Sequence, residues 1–238
     1  MSGYISPKAK IEGFIEKGAV ILGETVIGLN SIVGKNVLIG LPFEKSLWKL
    51  QFSGKTFDSC TYDSVSKGSR IGAECLIRSG TIIYESAEIG NKVRTGHNVL
   101  IREGSKVSDG TLIGSSTMLD GNVKVGKEVK IQSNVYLPHL TVVEDNVFIA
   151  PNVCFTNDPY PPSERLAGVI VENNALICAN ATILAGVKIG RKAVVGAGAV
   201  VTRDVPEESV VVGNPAKFLM TREEYEEKRR EWNKPKKQ

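Results

Sequence analysis

Aromatic side chains are scarce in this sequence: phenylalanine, tryptophan and tyrosine make up 6% of its 238 residues. The apolar fraction is an ordinary 42%, so any core must be built mainly from small aliphatic side chains. The chain also lacks any run approaching about 18 consecutive apolar residues, so no membrane-spanning helix is expected. Its first ten residues contain no apolar stretch of the kind a secretory signal peptide needs.

Cysteine occurs at only four positions, Cys60, Cys75, Cys154 and Cys178, and no two of them form a C-x-x-C pair. A chain of this length does not need disulfide bonds to hold a core together. We therefore expect four reduced thiols in a cytoplasmic protein. The net charge of +4 comes from interspersed acidic and basic residues, a pattern that does not require a nucleic-acid partner.

What the sequence has instead is a six-residue repeat. From Ile71 to Phe155 an aliphatic residue returns at almost every sixth position, with Thr95 as the one polar exception. The register is lost after Phe155 and recovered over residues 171–201, and an earlier block with the same spacing covers residues 15–39. Together these blocks make 26 hexads, too long a series to arise by chance.

The other positions of the hexad follow the same period. The fifth position is small or β-branched, and the fourth is Gly or Asn in 15 of the 26 hexads. Gly and Asn tolerate the left-handed backbone conformation of a tight corner. Each hexad is therefore predicted to be a short strand and a corner, with the first and fifth side chains inside. Three hexads close a triangular coil, and eight to nine coils stack about 4.8 Å apart.

The [LIV]-G-x-x-x-x pattern resembles the left-handed β-helix of the hexapeptide-repeat acyltransferases. The left-handed winding comes from that resemblance, because parallel strand crossovers are usually right-handed. Within it, residues 129–162 are similar to nucleotide-linked aminosugar N-acetyltransferases, which carry IQ-x-N-V, ED-x-VF-x-x-P and FTN motifs; here these begin at Ile131, Glu144 and Phe155. The predicted fold class is all-β, a left-handed parallel β-helix with a short C-terminal α-helix.

The resemblance also implies a co-substrate and an assembly. Residues 181–206 and 211–217 are similar to the donor-binding end of many acetyltransferases of this fold. Acetyl-CoA is therefore expected in a groove between adjacent subunits of a homotrimer, with no metal required. Carbonic anhydrases of the same fold bind each zinc through three histidines, and this chain has two, which argues against that function. The expected coenzyme A contacts are Ala179, Ala197, Gly198, Thr202, Arg203 and Lys217.

A candidate catalytic group follows from the predicted 18-residue coil. His139 and Asn157 are separated by one coil, so they should lie on the same corner, with Asp158 beside Asn157. His139 is the candidate general base, and Asn157 and Asp158 are expected to position the acceptor. His97 lies 42 residues before His139, which places it on a different corner. Substrate contacts are predicted for four residues: His97, Asn134, Tyr160 and Arg165.

Two interruptions and a C-terminal segment complete the predicted organisation. Residues 1–217 form the β-helix domain, with an aromatic insertion at 41–67 and a projecting loop at 157–168. The insertion carries Trp48, Phe52 and Phe57, and is expected to fold over the helix side or against a neighbouring subunit. Residues 218–238 are expected to form a helical cap and a basic tail. Within this segment Thr221 and Glu224 make a capping box at the start of a helix.

The predicted activity is transfer of an acetyl group from acetyl-CoA to the amino group of a nucleotide-linked amino sugar. A neutral amine is a good nucleophile, whereas a hydroxyl acceptor needs proton removal during attack. One alternative is a sugar or serine O-acetyltransferase on the same scaffold. The other is a β-helix that has kept the fold and lost the chemistry, which an absence of coenzyme A binding would reveal.

Overall fold

The repeat forms three flat faces around one core. The computed structural model describes residues 3–51, 56 and 58–234. Two- to five-residue strands stack into three sheets of ten, nine and eleven strands, called sheets A, B and C. All neighbouring strands are parallel except the last pair of sheet C. The predicted fold class is confirmed.

The strands follow the faces of the coil in rotation, and three helices interrupt or follow them. Sheet A contains β1 (Tyr4–Ile5), β4 (Val20–Ile21), β7 (Leu38–Leu41), β10 (Ile82–Tyr84), β13 (Leu100–Ile101), β16 (Met118–Leu119), β19 (Tyr136–Leu137), β22 (Cys154–Phe155), β25 (Thr182–Ile183) and β28 (Val200–Val201). Sheet B contains β2 (Lys10–Ile11), β5 (Val26–Ile27), β8 (Arg70–Ile71), β11 (Glu88–Ile89), β14 (Lys106–Val107), β17 (Lys124–Val125), β20 (Val142–Val143), β23 (Ile170–Val171) and β26 (Lys188–Ile189). Sheet C contains β3 (Phe14–Ile15), β6 (Ile32–Val33), β9 (Leu76–Ile77), β12 (Arg94–Thr95), β15 (Leu112–Ile113), β18 (Lys130–Ile131), β21 (Phe148–Ile149), β24 (Leu176–Ile177), β27 (Val194–Val195), β29 (Ser209–Val212) and β30 (Lys217–Thr221). The helices are α1 (Glu44–Gln51), α2 (Ser59–Val65) and α3 (Arg222–Trp232).

The positions of the hexad take the roles that the sequence predicts. First-position side chains such as Ile101 and Ile131 are fully buried, and fifth-position side chains such as Val129 are buried beside them. The fourth position is left-handed at most corners, with φ of 58° at Asn134 and 68° at Gly104. Successive coils align residues 18 apart wherever the repeat is uninterrupted. The core is therefore a column of small aliphatic side chains, which explains the low aromatic content.

The stack begins earlier than a strict six-residue search finds. Strands β1 and β2 add two faces ahead of Ile15, with Ile5 and Ile11 in the first position. Ile11 and Ile15 are only four positions apart, so the six-residue period breaks there. Gly13 makes this short corner possible, because a Cβ at that position would collide with the carbonyl of Ser31 in the next coil.

The 41–67 insertion folds against the side of the stack through α1 and α2. Its two ends are fixed by Glu85, a residue that is 2% exposed. The Glu85 carboxylate accepts from the backbone N–H groups of Phe43 at 3.1 Å and Lys67 at 2.8 Å. Asp63 in α2 is also buried and accepts from Gly23 N at 2.6 Å. The insertion is therefore anchored to its own chain. The predicted contributions of Phe52 and Phe57 lie outside the described residues.

The C-terminal segment differs from the expected helical cap, because its first residues belong to strand β30. Strand β30 turns back and pairs antiparallel with β29, so the strand crosses the predicted boundary at residue 217. The reason is that sheet C ends in unpaired backbone groups, which a returning strand satisfies. Helix α3 begins with the predicted Thr221–Glu224 capping box. It lies back along sheet C, where Arg222 donates to the carbonyl of Lys192 at 2.7 Å. No helix among the described residues is long and apolar enough to cross a membrane.

One buried hydroxyl in the core has no hydrogen-bond partner. Thr141 is fully buried and its Oγ1 is unsatisfied. Because an unpaired buried polar group costs about 1–3 kcal/mol, we expect Thr141→Val to raise the free energy of unfolding by about 1 kcal/mol. Thermal and urea denaturation measure this. Thr117→Val is the matched control, since its hydroxyl donates to Gln132 O at 2.9 Å, and it should destabilise; a loss of stability in both variants would contradict the prediction.

Candidate functional site

Every candidate residue of the repeat region lies at one of the two edges of sheet A. We call the edge shared with sheet B the A–B corner, formed by residues 84–86, 102–104, 120–122, 138–140, 156–168, 184–186 and 202–204. The edge shared with sheet C is the C–A corner, formed by residues 96–98, 114–116, 132–134, 150–152, 178–180 and 196–198. Both interruptions of the repeat leave the stack from the A–B corner, directly after β7 and β22.

The predicted catalytic and substrate residues divide between these corners. His139, Asn157, Asp158, Tyr160 and Arg165 are all on the A–B corner, and His97 and Asn134 are on the C–A corner. The structure therefore brings the proposed base together with the projecting loop. Within one chain it places His97 and Asn134 on a different corner. The expectation that His97 occupies a different corner from His139 is confirmed.

His139 is half-buried and its ring has a defined orientation. Its Nδ1 lies 3.1 Å from the carbonyl oxygen of Gly121, one coil earlier on the same corner. A carbonyl oxygen only accepts hydrogen bonds, so this contact requires a proton on Nδ1. In the neutral ring Nε2 then carries the lone pair. The backbone thus holds His139 in the form that accepts a proton through Nε2.

The corner that contacts His139 has an unusual backbone. Gly121 occupies the third position of its hexad and has φ of 85°, and the following Asn122 is also left-handed. In the uninterrupted coils from Ile71 to Phe155, Gly121 is the only third-position residue with positive φ. An added Cβ at Gly121 would lie 3.6 Å from His139 Nδ1. The glycine therefore shapes the turn where the ring is bound.

Asn157 occupies the position equivalent to His139 in the next coil. Tyr136 and Cys154 are paired across β19 and β22, and the two residues follow them by three positions each. Adjacent parallel strands are about 4.8 Å apart, so the two side chains start from neighbouring positions. The predicted stacking is therefore confirmed for the backbone. Asn157 also closes the neck of the loop, where its carbonyl accepts from Ala167 N at 2.7 Å.

The carboxylate of Asp158 is engaged within the loop. It accepts from Tyr160 N at 3.0 Å, and from both Ser163 N at 2.8 Å and Ser163 Oγ at 2.6 Å. These hydrogen bonds, that of the Ser163 hydroxyl first, lower the pKa of Asp158. Tyr160 is 84% exposed and Arg165 is exposed. Asp158 thus shapes the loop that presents these two side chains, and its direct contact with substrate remains a prediction.

A polar cluster on the same corner was missed by the sequence analysis. Arg102 donates from Nη1 to Asp120 Oδ1 at 2.9 Å, and Tyr136 donates its hydroxyl to Asp120 Oδ2 at 2.8 Å. Burial, followed by the hydrogen bond to Asp120, raises the pKa of Tyr136 to about 12. Arg102 also binds Glu103 at 2.8 Å and lies over the ring of Tyr84 at 5.7 Å. Tyr84, Arg102 and Asp120 recur at 18-residue spacing, which was the available signal.

The predicted coenzyme A contacts do not converge within one chain. Ala179, Ala197 and Gly198 stack on the C–A corner, where Gly198 N donates to Ala179 O at 2.9 Å. The space outside Gly198 is open, because an added Cβ would meet nothing within 4 Å. Thr202 and Arg203 are exposed at the opposite edge of sheet A, and Lys217 pairs with Val212 in the terminal hairpin.

Charge and potential metal ligands complete the description of the site. All four cysteines are free; Cys154 is exposed on sheet A, one strand from Tyr136. Burial raises the pKa of the Cys154 thiol, so it is not activated as a thiolate. In the part of the chain that the structure describes, no three His, Cys, Asp or Glu side chains form a group able to hold a metal ion.

The sequence matches known proteins over part of its length. Residues 168–203 match the family model described as the hexapeptide repeat of succinyl-transferase. A stretch of 71 residues is 48% identical to the 2,3,4,5-tetrahydropyridine-2,6-dicarboxylate N-acetyltransferase of Staphylococcus aureus strain JH9, covering 30% of this chain and 29% of that protein. The aligned stretch thus spans less than a third of the length of the curated relatives that this chain matches.

The fold matches solved structures over much more of the chain. The UDP-N-acetylglucosamine O-acyltransferase of Moraxella catarrhalis RH4 aligns over 96% of this chain and 76% of its own, with a TM-score of 0.58 and 17% identity. This level of identity identifies the fold. A hexapeptide-repeat acetyltransferase of Vibrio cholerae O1 biovar eltor, solved with acetyl coenzyme A, aligns over 50% of this chain and 70% of its own, with 24% identity and a TM-score of 0.40.

Proposed function

We propose that this chain is a hexapeptide-repeat acyltransferase that transfers an acetyl group from acetyl-CoA to an amino group, with His139 as the general base. The observation that carries this proposal is the contact between His139 Nδ1 and Gly121 O, which leaves Nε2 free at the foot of the projecting loop. The aligned curated relatives are named as N-acetyltransferases, which favours acetyl as the acyl group and an amine as the acceptor.

The reaction that fits this arrangement is direct attack on the thioester. The acceptor nitrogen forms a bond to the acetyl carbon, His139 Nε2 takes a proton from that nitrogen, and the C–S bond breaks as the coenzyme A thiolate leaves and receives the proton from the imidazolium. The imidazolium that forms is stabilised through its Nδ1–H bond to Gly121. Backbone N–H groups near the corner supply the stabilisation of the tetrahedral oxyanion. Asn157 lies one coil further and positions the acceptor.

We assign the acceptor to nucleotide-linked amino sugars, on the motifs at Ile131, Glu144 and Phe155 and on the loop. Tyr160 offers an exposed ring against which a base or sugar packs, and Arg165 offers a cation for a phosphate. Both side chains project from a loop fixed by Asp158. An acceptor of this kind is long enough to contact the loop and His139 together.

We also propose a homotrimer in which each site lies between two copies of the chain. The first residue of each sheet A strand faces outward and is uncharged from end to end: Tyr4, Val20, Leu38, Ile82, Leu100, Met118, Tyr136, Cys154, Thr182 and Val200. The equivalent residues of sheet B include Lys10, Arg70, Glu88, Lys106, Lys124 and Lys188. An uncharged face between two corners that carry candidate residues fits a subunit contact. The C–A corner of one copy then faces the A–B corner of the next, which unites His97, Asn134 and the donor contacts with His139.

The trimer predicts the effect of one charge on sheet A. Met118 is 37% exposed on β16, so Met118→Glu leaves the monomer core intact and buries a carboxylate in the contact, which costs several kcal/mol. We expect the variant to dissociate in light scattering after size exclusion, with loss of turnover. Lys124→Glu is the control on sheet B and keeps the wild-type mass. A wild-type protein that is monomeric at micromolar concentration would remove the proposed assembly.

The acceptor assignment is tested by thiol release from acetyl-CoA across a panel of acceptors. The panel contains nucleotide-linked amino sugars, tetrahydropyridine dicarboxylate, free serine and the matching sugars with a hydroxyl in place of the amine. We expect turnover with an amino sugar and none with its hydroxyl analogue. Turnover with hydroxyl acceptors alone would make the protein an O-acetyltransferase. An absence of both turnover and coenzyme A binding would leave a β-helix scaffold.

A further inference from the structure

We propose that Asp120 is a positioning residue for His139, held by Arg102 and Tyr136 so that the Gly121 carbonyl keeps the ring in its Nδ1–H form. The inference rests on the proposed function for its catalytic meaning, since the base is His139. The structural part of the inference does not depend on that role. It is that the carboxylate of Asp120 on one coil sets the tautomer of His139 on the next coil. Asp120, Arg102 and Tyr136 would therefore influence turnover without touching the substrate.

Asp120 is bound at both carboxylate oxygens by side chains from different coils. Oδ1 accepts from Arg102 in the preceding coil, and Oδ2 accepts from Tyr136 in the strand before His139. Its backbone N–H donates to Leu137 O at 2.8 Å. Charge-assisted hydrogen bonds of this kind are short and directional. The residue immediately before Gly121 is thus fixed at its side chain and its backbone.

Arg102 has few donors left for an anionic ligand. Its Nε and Nη2 bind Glu103 at 3.2 and 2.8 Å, and its Nη1 binds Asp120. The three charges leave the cluster with one net negative charge at neutral pH. Phosphate recognition is disfavoured by that sign. The cluster is therefore better explained as a support for the corner than as a substrate site.

The support reaches His139 through the left-handed turn. Gly121 follows Asp120 directly, and Asn122 N donates to Glu103 O at 2.9 Å, which fixes the other side of the turn. The direction of the Gly121 carbonyl is then set by residues on both sides. Because that carbonyl is the observed partner of His139 Nδ1, a change at Asp120 is transmitted to the ring through the backbone of the adjacent Gly121.

The tautomer is measured directly by NMR on protein labelled with ¹⁵N-histidine. The chain has two histidines, and a His97→Gln variant assigns both. In the wild type at alkaline pH, we expect His139 to show a protonated Nδ1 and an unprotonated Nε2, with exposed His97 averaging both forms. Asp120→Ala should convert His139 to a mixture. It should also lower kcat about tenfold to a hundredfold, with a change of less than about threefold in KM for acetyl-CoA.

Two further variants separate positioning from a general loss of structure. Tyr136→Phe removes one of the two anchors and should give a smaller shift in the same direction. Asp120→Asn should recover part of the kcat lost in Asp120→Ala, because its amide oxygen still accepts from Arg102 and its amide N–H can donate to the Tyr136 hydroxyl oxygen. Asp109→Ala removes a carboxylate from a corner away from the site, where it accepts from Asn91 N, and should leave the His139 signal unchanged. An unaltered His139 tautomer in Asp120→Ala overturns the inference, whatever acceptor the enzyme uses. A wild-type Nδ1–H signature together with normal turnover in His139→Ala would instead remove the proposed base and leave the positioning intact.

Discussion

We expect His139→Ala to lower turnover of acetyl-CoA with an amine acceptor by about 10²- to 10⁴-fold, the usual contribution of a positioned general base. The effect should appear in kcat, because the ring accepts its proton during attack and makes no contact needed for donor binding. The His139→Ala variant should regain part of its turnover at high pH, because more of a free amine acceptor is then already deprotonated and needs no base. Initial rates of thiol release at several pH values measure both effects.

The matched control for His139 is the other histidine. His97→Ala changes an exposed side chain on the C–A corner, and within one chain it is far from the Gly121 carbonyl. We expect a change mainly in KM for the acceptor, since its predicted role is contact with substrate across the subunit boundary. His139→Ala with wild-type kcat would refute the assignment of the base. Equal loss of kcat in both variants would indicate that the two histidines act together in one site.

Phe155→Ala should destabilise the protein by about 3–5 kcal/mol, the cost of removing a large buried aromatic ring. Phe155 is fully buried and is the only aromatic residue in a first position of the repeat. It lies between Leu137 and Ile183 of the flanking coils and immediately precedes the segment that carries Asn157. A cavity at this level therefore weakens the coil on which the loop is built.

Denaturation and hydrogen exchange together test the Phe155 prediction. Because a solenoid unfolds in units of neighbouring coils, the melting temperature should fall and the amides around Leu137 and Ile183 should lose protection first. Phe155→Leu keeps much of the volume and should cost less than about 1.5 kcal/mol. A uniform loss of protection along the whole stack, or an alanine variant as stable as the leucine variant, would contradict the local account.

Much of the fold is predictable because each hexad repeats the same local physics. Ile131 and Asn134 illustrate this: an aliphatic side chain fills the core and a left-handed asparagine turns the corner, in the roles assigned from the sequence. The short corner at Gly13 and the returning strand β30 were not predictable. The corner at Gly13 breaks the six-residue period. Strand β30 pairs with the otherwise unpaired last strand of sheet C, and that edge exists only once the coils are stacked.

The candidate site was predictable in part for the same reason. Spacing alone placed His139 below Asn157, because residues 18 apart share a corner. It did not reveal that Asp158 bonds to its own loop, or that Gly121 presents a carbonyl to His139. Those contacts depend on side-chain torsion angles and on the left-handed backbone conformation of Gly121. The pair of Asp120 and Tyr136 was hidden because their separation of 16 residues is two short of one coil and joins different positions of the hexad, the second and the sixth.

The A–B corner admits extra chain without disturbing the core. Strand β5 pairs with β8 although the 41–67 insertion separates them along the chain, and β20 pairs with β23 although the 157–168 loop intervenes. The core is thus encoded in the hexads and not in these corner segments, which under the proposed function hold the acceptor contacts. Exchanging a corner segment for that of another enzyme should redirect acceptor preference while the melting behaviour of the stack is inherited from the host, which makes this edge the natural place for grafting new specificities.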